Sequence, residues 1–171
     1  MTKTPSVLDP LQVPLVGTFL VEASAGTGKT HTISTLYLRL LLERELTVDQ
    51  VLVVTFTNAA TAELRDRLRA RVAVLLKALE GHDVADPEVA ALADMRADSV
   101  QRQRDCARLR AALYAFDLAP VHTIHSFCQR MLQQYAFEGG RVFEADIALD
   151  ADRWIARAVE AYWLSCIEQP A

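Results

Sequence analysis

The chain has 171 residues, of which 51% are hydrophobic and 23% are charged, so it can form one domain with a hydrophobic core and does not resemble a disordered protein. Its formal net charge of -4 gives no general support for nucleic-acid binding, although charge can still be concentrated locally. The three cysteines are too few for a disulfide framework, no apolar run reaches the roughly 18 residues of a membrane span, and the N-terminus lacks a signal peptide. We therefore expect a cytoplasmic protein with no membrane partner.

The first predicted elements lie on either side of a glycine-containing loop. The apolar run at 18–22 predicts a buried strand and leads into Ala-Ser-Ala-Gly-Thr-Gly-Lys-Thr at 23–30. A helix is predicted after this loop, with one face formed by Ile33, Leu36, Tyr37, Leu40 and Leu41. The segment 51–56 is apolar and β-branched without alternation, which is typical of a strand buried on both faces.

The remainder of the chain predicts mainly helices. They are expected at about 59–79, with a stop at Gly81, directly after Asp86-Pro87, at about 100–116, at 126–135, and around 154–163 after a turn at Gly139-Gly140. A short strand is predicted at 121–123. This order is the opening of an α/β domain with a parallel sheet, but only two or three strands are found. We predict an incomplete parallel sheet flanked by helices, with a largely helical C-terminal half.

The segment 23–30 has the pattern of a phosphate-binding loop, except that Ala23 stands where the first glycine usually does. Small residues let the backbone wrap around a phosphate, and the N-terminus of the following helix favours negative charge. Lys29 can reach the β- and γ-phosphates, and the Thr30 hydroxyl can bind Mg²⁺. The strand before the loop and the helix after it favour this interpretation over a structural turn. We predict that ATP and Mg²⁺ bind here, with Lys29 as the catalytic residue and contacts from Ala23, Ser24, Ala25, Gly26, Thr27, Gly28, Lys29, Thr30 and His31.

Two later segments narrow the class of protein. Val-Val-Thr-Phe-Thr-Asn-Ala-Ala-Thr-Ala-Glu-Leu-Arg-Asp-Arg, at 53–67, closely resembles motif Ia of superfamily 1 helicases of the UvrD and Rep type. Val-His-Thr-Ile-His-Ser-Phe-Cys, at 121–128, resembles the histidine-containing motif that follows Ia in that family, and Ala-Gly-Thr-Gly-Lys-Thr is similar to its phosphate loop. Motifs in the family's order are far more specific than any one alone.

The resemblance is strongest to the branch of these helicases that works in exodeoxyribonuclease V-type complexes. It rests on Leu-Asp-Pro-Leu at 8–11 and on the segments 22–30, 52–57 and 123–132, and it covers about residues 8–149. It implies a P-loop NTPase fold of the RecA-like kind. Residues 1–150 are then part of the helicase ATP-binding domain 1A, and residues 151–171 are the start of a helical insertion similar to domain 1B.

The same resemblance implies that single-stranded DNA runs past the ends of two strands. The hydroxyl of Thr57 and the amide of Asn58 are suited to phosphate oxygens. The loop with His125, Ser126 and Phe127 is the second expected contact, and its two rings could stack on bases. Core packing of Phe127 and a purely structural role for His125 remain open at this stage.

Gln12 is the candidate for contact with the adenine base. Leu-Asp-Pro-Leu-Gln at 8–12 is similar to the Leu-Asn-Pro-x-Gln element with which UvrD-type helicases hydrogen-bond adenine. The alternative is an exposed polar residue in a loop without a role in binding.

Three further patterns are interpreted as structural. His122, His125 and Cys128 are close in sequence, but a structural zinc site needs a fourth ligand and none is evident nearby. The segment Leu113–Asp117 looks like a strand ending in a magnesium ligand, yet its neighbours recur at helical spacing, so a helix end is favoured. Eight arginines are predicted on solvated helix faces, balanced by Glu63, Asp66 and Asp105; they are Arg65, Arg67, Arg69, Arg71, Arg102, Arg104, Arg108 and Arg110.

The family's motif II, an apolar strand followed by Asp-Glu, is not found in the sequence, and neither are the arginine motifs of a second motor domain or a nuclease motif. We therefore expect a fragment of an ATP-dependent DNA helicase of double-strand-break repair and recombination, inactive alone. Its expected partners are single-stranded DNA, the remaining helicase domains and other subunits of the complex. The alternatives are another P-loop phosphotransferase, such as a small-molecule kinase, and a stand-alone remnant that binds nucleotide without turnover.

Overall fold

A computed structural model describes residues 8–22, 24, 26, 28–135 and 152–167. The chain divides into two compact units, Met1–Phe127 and Cys128–Ala171. In chain order the helices are α1 (Lys29–Glu43), α2 (Asn58–Leu79), α3 (Pro87–Asp94), α4 (Ser99–Tyr114), α5 (Ile124–Gln134) and α6 (Asp152–Ile167), with 3₁₀ turns at Val48–Gln50 and Phe116–Leu118. The strands are β1 (Val53–Thr55) and β2 (Val121–Thr123).

Helix α2 is the central element of the first unit. It begins after Thr57, whose Oγ1 accepts a hydrogen bond from the Ala60 N–H at 3.1 Å. It ends at Leu79, and Gly81, two residues later, has a φ of 91°, the left-handed conformation that glycine adopts without strain. Its buried apolar face packs against α1, α3, α4 and both strands, and consists of Leu64, Leu68, Val72, Leu75 and Leu79. The predicted helix and its stop are confirmed.

The buried face of α1 differs from the predicted one. Tyr37 and Leu41 lie in the core as expected, but Leu38 and Leu42 are fully buried too, while Ile33 is 42% exposed. The face is therefore rotated by about one residue. Leucine occurs on almost every side of this helix, so periodicity alone did not select the side that packs against α2.

The sheet consists of the parallel pair β1 and β2, in which Val53, Val54 and Thr55 lie beside Val121, His122 and Thr123. The parallel arrangement and the strand at 121–123 are confirmed. The prediction that the strand at 51–56 is buried on both faces is wrong, because β1 is shorter and the side chains of Leu52 and Val54 are 45% and 46% exposed. One face of β1 packs on α2 and the other is open.

The predicted strand at 18–22 is also wrong, since this segment belongs to no sheet. Phe19 and Leu20 are 52% and 84% exposed. A strand is stabilised by the ladder of a neighbouring strand, and within the described residues the only ladder joins β1 to β2. The apolar sequence indicated burial, but burial of this segment requires a neighbouring strand, and the described residues form none beside it.

The described part of the C-terminal half is largely helical, as predicted. Asp86 caps α3 and Asp98 caps α4, each through side-chain oxygens that accept backbone N–H groups of the first turn. The segment Leu113–Asp117 is a helix end, because α4 stops at Tyr114 and a 3₁₀ turn follows. The predicted turn at Gly139-Gly140 lies outside the described residues. No helix in the described ranges is long and apolar enough to span a membrane.

Candidate nucleotide and nucleic-acid sites

Two glycines shape the predicted phosphate loop immediately before α1. Gly26 and Gly28 have φ values of 78° and 88°, both in the left-handed region. A Cβ atom at either position would meet nothing within 4 Å, so the requirement for glycine is conformational and not steric. The remaining small residues of the loop, Ala23, Ala25 and Thr27, lie outside the described residues.

Lys29 and Thr30 occupy the first turn of α1. The Lys29 Nζ donates to the Ser24 carbonyl at 2.6 Å, so the ammonium group contacts the loop backbone. Gly28 is the N-cap residue and provides no side-chain cap, so an anion can take the place of one at this helix end. Thr30 is half-buried, and its carbonyl accepts from the Ser34 hydroxyl at 2.7 Å. The cationic group, the left-handed glycines and the hydroxyl fit a nucleotide phosphate with Mg²⁺.

His31 is held beside a polar cluster that sequence analysis missed. Its Nε2 lies 3.0 Å from Glu88 Oε2, and its carbonyl accepts from Arg71 Nη1 at 3.0 Å. Arg71 is only 7% exposed, so its prediction on a solvated face is wrong. Arg65 also departs from that prediction, because its Nη2 donates to the Val121 carbonyl at 3.1 Å. Arginine spacing alone could not reveal these acceptors, since they lie far away in sequence.

Gln12 lies in a turn held against α1. The turn is closed by its N–H, which donates to the Asp9 carbonyl at 3.1 Å, and its side chain is exposed. Arg39 fixes the turn, since Nη1 donates to the carbonyls of Pro10 and Val13, each at 2.8 Å. Because Arg39 is ten residues after Lys29, the turn lies roughly 15 Å along α1 from the phosphate loop.

The predicted DNA-contacting residues come together at one edge of the sheet. Thr55 and Thr123 are neighbours in the parallel register, and each strand then leads directly into a helix. Thr57 caps α2, while Thr123 Oγ1 accepts from the Ser126 N–H at 3.1 Å at the start of α5. The exposed side chains of Thr57, Asn58 and Ser126 therefore lie at adjacent helix N-termini, which favour phosphate oxygens. We call this region the strand-end edge.

Aromatic rings are also present at the strand-end edge. His125 is exposed. Phe127 is half-buried, so its ring is partly packed and partly accessible. Phe56, which sequence analysis assigned to a buried strand, is 87% exposed between β1 and α2. An exposed ring between a strand and a helix can stack on a base. The threonines on both sides of Phe56 could have indicated its exposure, since they mark the turn between β1 and α2.

The phosphate loop and the strand-end edge are not adjacent. His31 touches α2 at Arg71, which is thirteen residues beyond Asn58 and hence roughly 20 Å further along the helix. Helix α2 therefore connects the two sites. Within the described part of the chain, no three or more His, Cys, Asp or Glu side chains come together as metal ligands.

Comparison with known proteins identifies the family. The UvrD/REP helicase N-terminal domain matches residues 5–165 of the chain. The chain belongs to this family. The family has the P-loop NTPase fold, with which the parallel pair and its flanking helices agree, so the predicted family and the broad fold class are confirmed.

Several curated relatives of this helicase-family chain are similar over most of it. The chain is 44% identical over 171 residues to the RecBCD enzyme subunit RecB of Escherichia coli K12, covering 95% of this chain and 14% of that protein. It is 39% identical to the RecBCD enzyme subunit RecB of Haemophilus influenzae over 91% of this chain, and 36% identical to that of Mycolicibacterium smegmatis over 93%. The chain spans about 14% of the length of these relatives.

Proposed function

We propose that the loop at 23–30 binds Mg²⁺ and ATP. The observation that carries this proposal is the Lys29 ammonium, 2.6 Å from the Ser24 carbonyl of a loop with two left-handed glycines. Lys29 then neutralises phosphate charge, Thr30 ligates the metal, and His31 contacts the nucleotide from the same helical turn. The metal supplies charge stabilisation for phosphoryl transfer when bound. Gln12, held against α1 by Arg39, is the proposed contact to adenine.

We further propose that the strand-end edge binds single-stranded DNA without reading its sequence. Thr57, Asn58 and Ser126 supply neutral donors for phosphate oxygens, in keeping with a chain whose net charge is -4. His125, Phe127 and Phe56 supply rings for base stacking. Adjacent helix N-termini support the proposal, because they offer positive potential where the chain as a whole offers none.

The complete protein is proposed to be an ATP-dependent DNA helicase subunit that acts in double-strand-break repair and recombination. Relatives that are 44% and 39% identical are named as RecB subunits of the RecBCD enzyme, which supports other helicase domains and other subunits as partners. In this proposal nucleotide state at α1 is transmitted to the DNA contact by α2. The sequence contains no motif II, so turnover requires acidic residues from elsewhere in the protein.

Equilibrium titration with Mg-ATP tests the nucleotide site on the complete polypeptide. Lys29→Ala removes the only cation of the loop and is expected to weaken binding by about tenfold or more. Lys77→Ala is the matched control, since Lys77 is exposed in the last turn of α2, away from the loop. Equal affinities for the two variants would contradict the proposed site.

Fluorescence anisotropy with a labelled oligothymidylate tests the DNA surface. Phe56→Ala and His125→Ala are each expected to weaken binding by about tenfold, because stacking on a base contributes roughly 1–3 kcal/mol. Tyr114→Ala is the control, as this ring is 95% exposed at the end of α4. DNA binding that survives both substitutions, or that Tyr114→Ala weakens equally, would refute the assignment of the strand-end edge.

A further inference from the structure

Arg71 is a buried charge that joins three helices. It belongs to α2 and is 7% exposed. Its Nη1 donates to the His31 carbonyl at 3.0 Å and to Thr35 Oγ1 at 2.7 Å, both on α1. Its Nη2 lies 2.9 Å from Asp86 Oδ2, at the N-cap of α3, and 3.6 Å from Glu88 Oε2. One guanidinium group thus holds the start of the phosphate-loop helix against α2 and α3.

Glu88 completes the cluster from the other side. Its carboxylate accepts a hydrogen bond from the Thr35 hydroxyl and lies 3.0 Å from His31 Nε2. The carbonyl and the side chain of His31 are therefore both held, by Arg71 and by Glu88 respectively. Because Asp86 and Glu88 outnumber the one arginine, the guanidinium cannot be removed without leaving two carboxylates in a half-buried site.

The first turns of α1 are not held against α2 by fully buried leucines. Lys29 and His31 are exposed and Ile33 is 42% exposed, whereas the fully buried leucines of this helix begin at Leu38. Hydrophobic packing thus fixes the later turns of α1, and polar contacts fix its start. If packing were the sole requirement at position 71, a leucine would meet it without the free-energy cost of burying a charge. The arginine is suited instead to defining the position of a backbone carbonyl.

We propose that Arg71 is a positioning residue for the nucleotide, acting through the His31 carbonyl to set where Lys29 and Thr30 stand. This inference rests on the proposed nucleotide site. Loss of the guanidinium releases the first turn of α1 while the side chains of Lys29, Thr30 and His31 are unchanged. Lys29 and Thr30 hold the nucleotide in the ground state and also stabilise charge during phosphoryl transfer, so their displacement weakens binding and slows the reaction. The effect is therefore expected in both KM and kcat.

Steady-state ATP hydrolysis by the complete protein, which includes the remaining helicase domains, tests the proposal together with Mg-ATP titration. Arg71→Gln is expected to raise KM and Kd by about tenfold and to lower kcat by about tenfold. Arg108→Gln is the matched control, because Arg108 also pairs with a buried carboxylate, Asp105, but lies on α4. It is expected to lower thermal stability and leave KM unchanged.

Arg71→Lys keeps the positive charge beside Asp86, so it is expected to fold even if Arg71→Gln does not. It cannot donate to α1 and pair with Asp86 in the forked geometry of a guanidinium group. It is expected to raise KM by about threefold. Wild-type KM in either folded variant, or an equal rise in the Arg108→Gln control, overturns the positioning role. A Lys29→Ala variant that binds Mg-ATP normally would instead refute the nucleotide site itself, so the two failures are distinguishable.

Discussion

Replacement of Arg39 by leucine is expected to release the turn that carries Gln12. Arg39 is 5% exposed and donates to the carbonyls of Pro10 and Val13, while its other nitrogens pair with Glu43 Oε1 and Oε2 at 2.7 and 2.9 Å. Leucine fills a similar space but offers no donor. The segment before α1 then loses two hydrogen bonds, each from a charged group.

The size of the effect follows from those contacts. A hydrogen bond from a charged donor contributes about 1.5–3 kcal/mol, so the loss of two, partly compensated by water at the turn, amounts to about 3 kcal/mol or a hundredfold change in local opening. Glu43 can regain water, since its side chain is 33% exposed, and adds little to the cost. The change is local because the core leucines of α1 do not depend on Arg39.

Hydrogen exchange followed by mass spectrometry measures this opening directly. The N–H groups of Gln12 and Val13 donate to the Asp9 carbonyl at 3.1 and 3.2 Å, and in Arg39→Leu they are expected to exchange about a hundredfold faster. Glu43→Gln, which leaves the guanidinium in place, is expected to change exchange by less than about threefold. Unchanged exchange across residues 8–16 in Arg39→Leu would refute the role assigned to this arginine.

Two other predictions concern stability. Burial raises the pKa of Tyr37 from 10.0 to about 12, and its hydroxyl has no hydrogen-bond partner among the described residues. The folded state therefore favours the neutral phenol, so the free energy of unfolding is unaffected by this group below pH 10 and falls as the pH rises towards 12. At pH 11 the wild type is expected to lose about 1.4 kcal/mol of this free energy, whereas Tyr37→Phe is not. Urea denaturation at each pH measures the difference. Parallel pH profiles for the two proteins would contradict this. Thr57→Val removes the cap of α2 and should cost about 1 kcal/mol in the same assay, whereas Thr57→Ser should cost little; equal losses would show that the hydroxyl is not the cap.

The elements that sequence predicts best are those with local signals. Helix α2 has a threonine cap, a regular leucine stripe and a terminal glycine, and the structure reproduces all of these features. The segment 18–22 failed because its burial depends on a neighbouring strand, which no local pattern supplies. The face of α1 failed for a related reason, since its leucines surround the helix and the choice belongs to its partners.

The sites show the same division. Lys29, the glycines and the two strand ends were predicted because phosphate loops and helix N-termini are encoded by adjacent residues. Arg71 was not, because its partners are the His31 carbonyl and two carboxylates fifteen or more positions away. A buried arginine and an exposed one have the same sequence signature. Only the folded chain separates Arg71 from Arg67, which pairs on the surface with Glu63 at 2.7 Å.

The short passage from each strand into its helix limits how the strand-end edge can move. β2 is followed at once by α5, and only Phe56 and Thr57 separate β1 from α2. Connections this short do not allow one side chain to move relative to a ligand independently of its neighbours. Single-stranded DNA bound there, as proposed, would therefore be displaced only by a joint movement of β1, β2 and the first residues of α2 and α5. In the proposed helicase, single substitutions at this edge are expected to change the affinity for DNA without changing the extent of that movement.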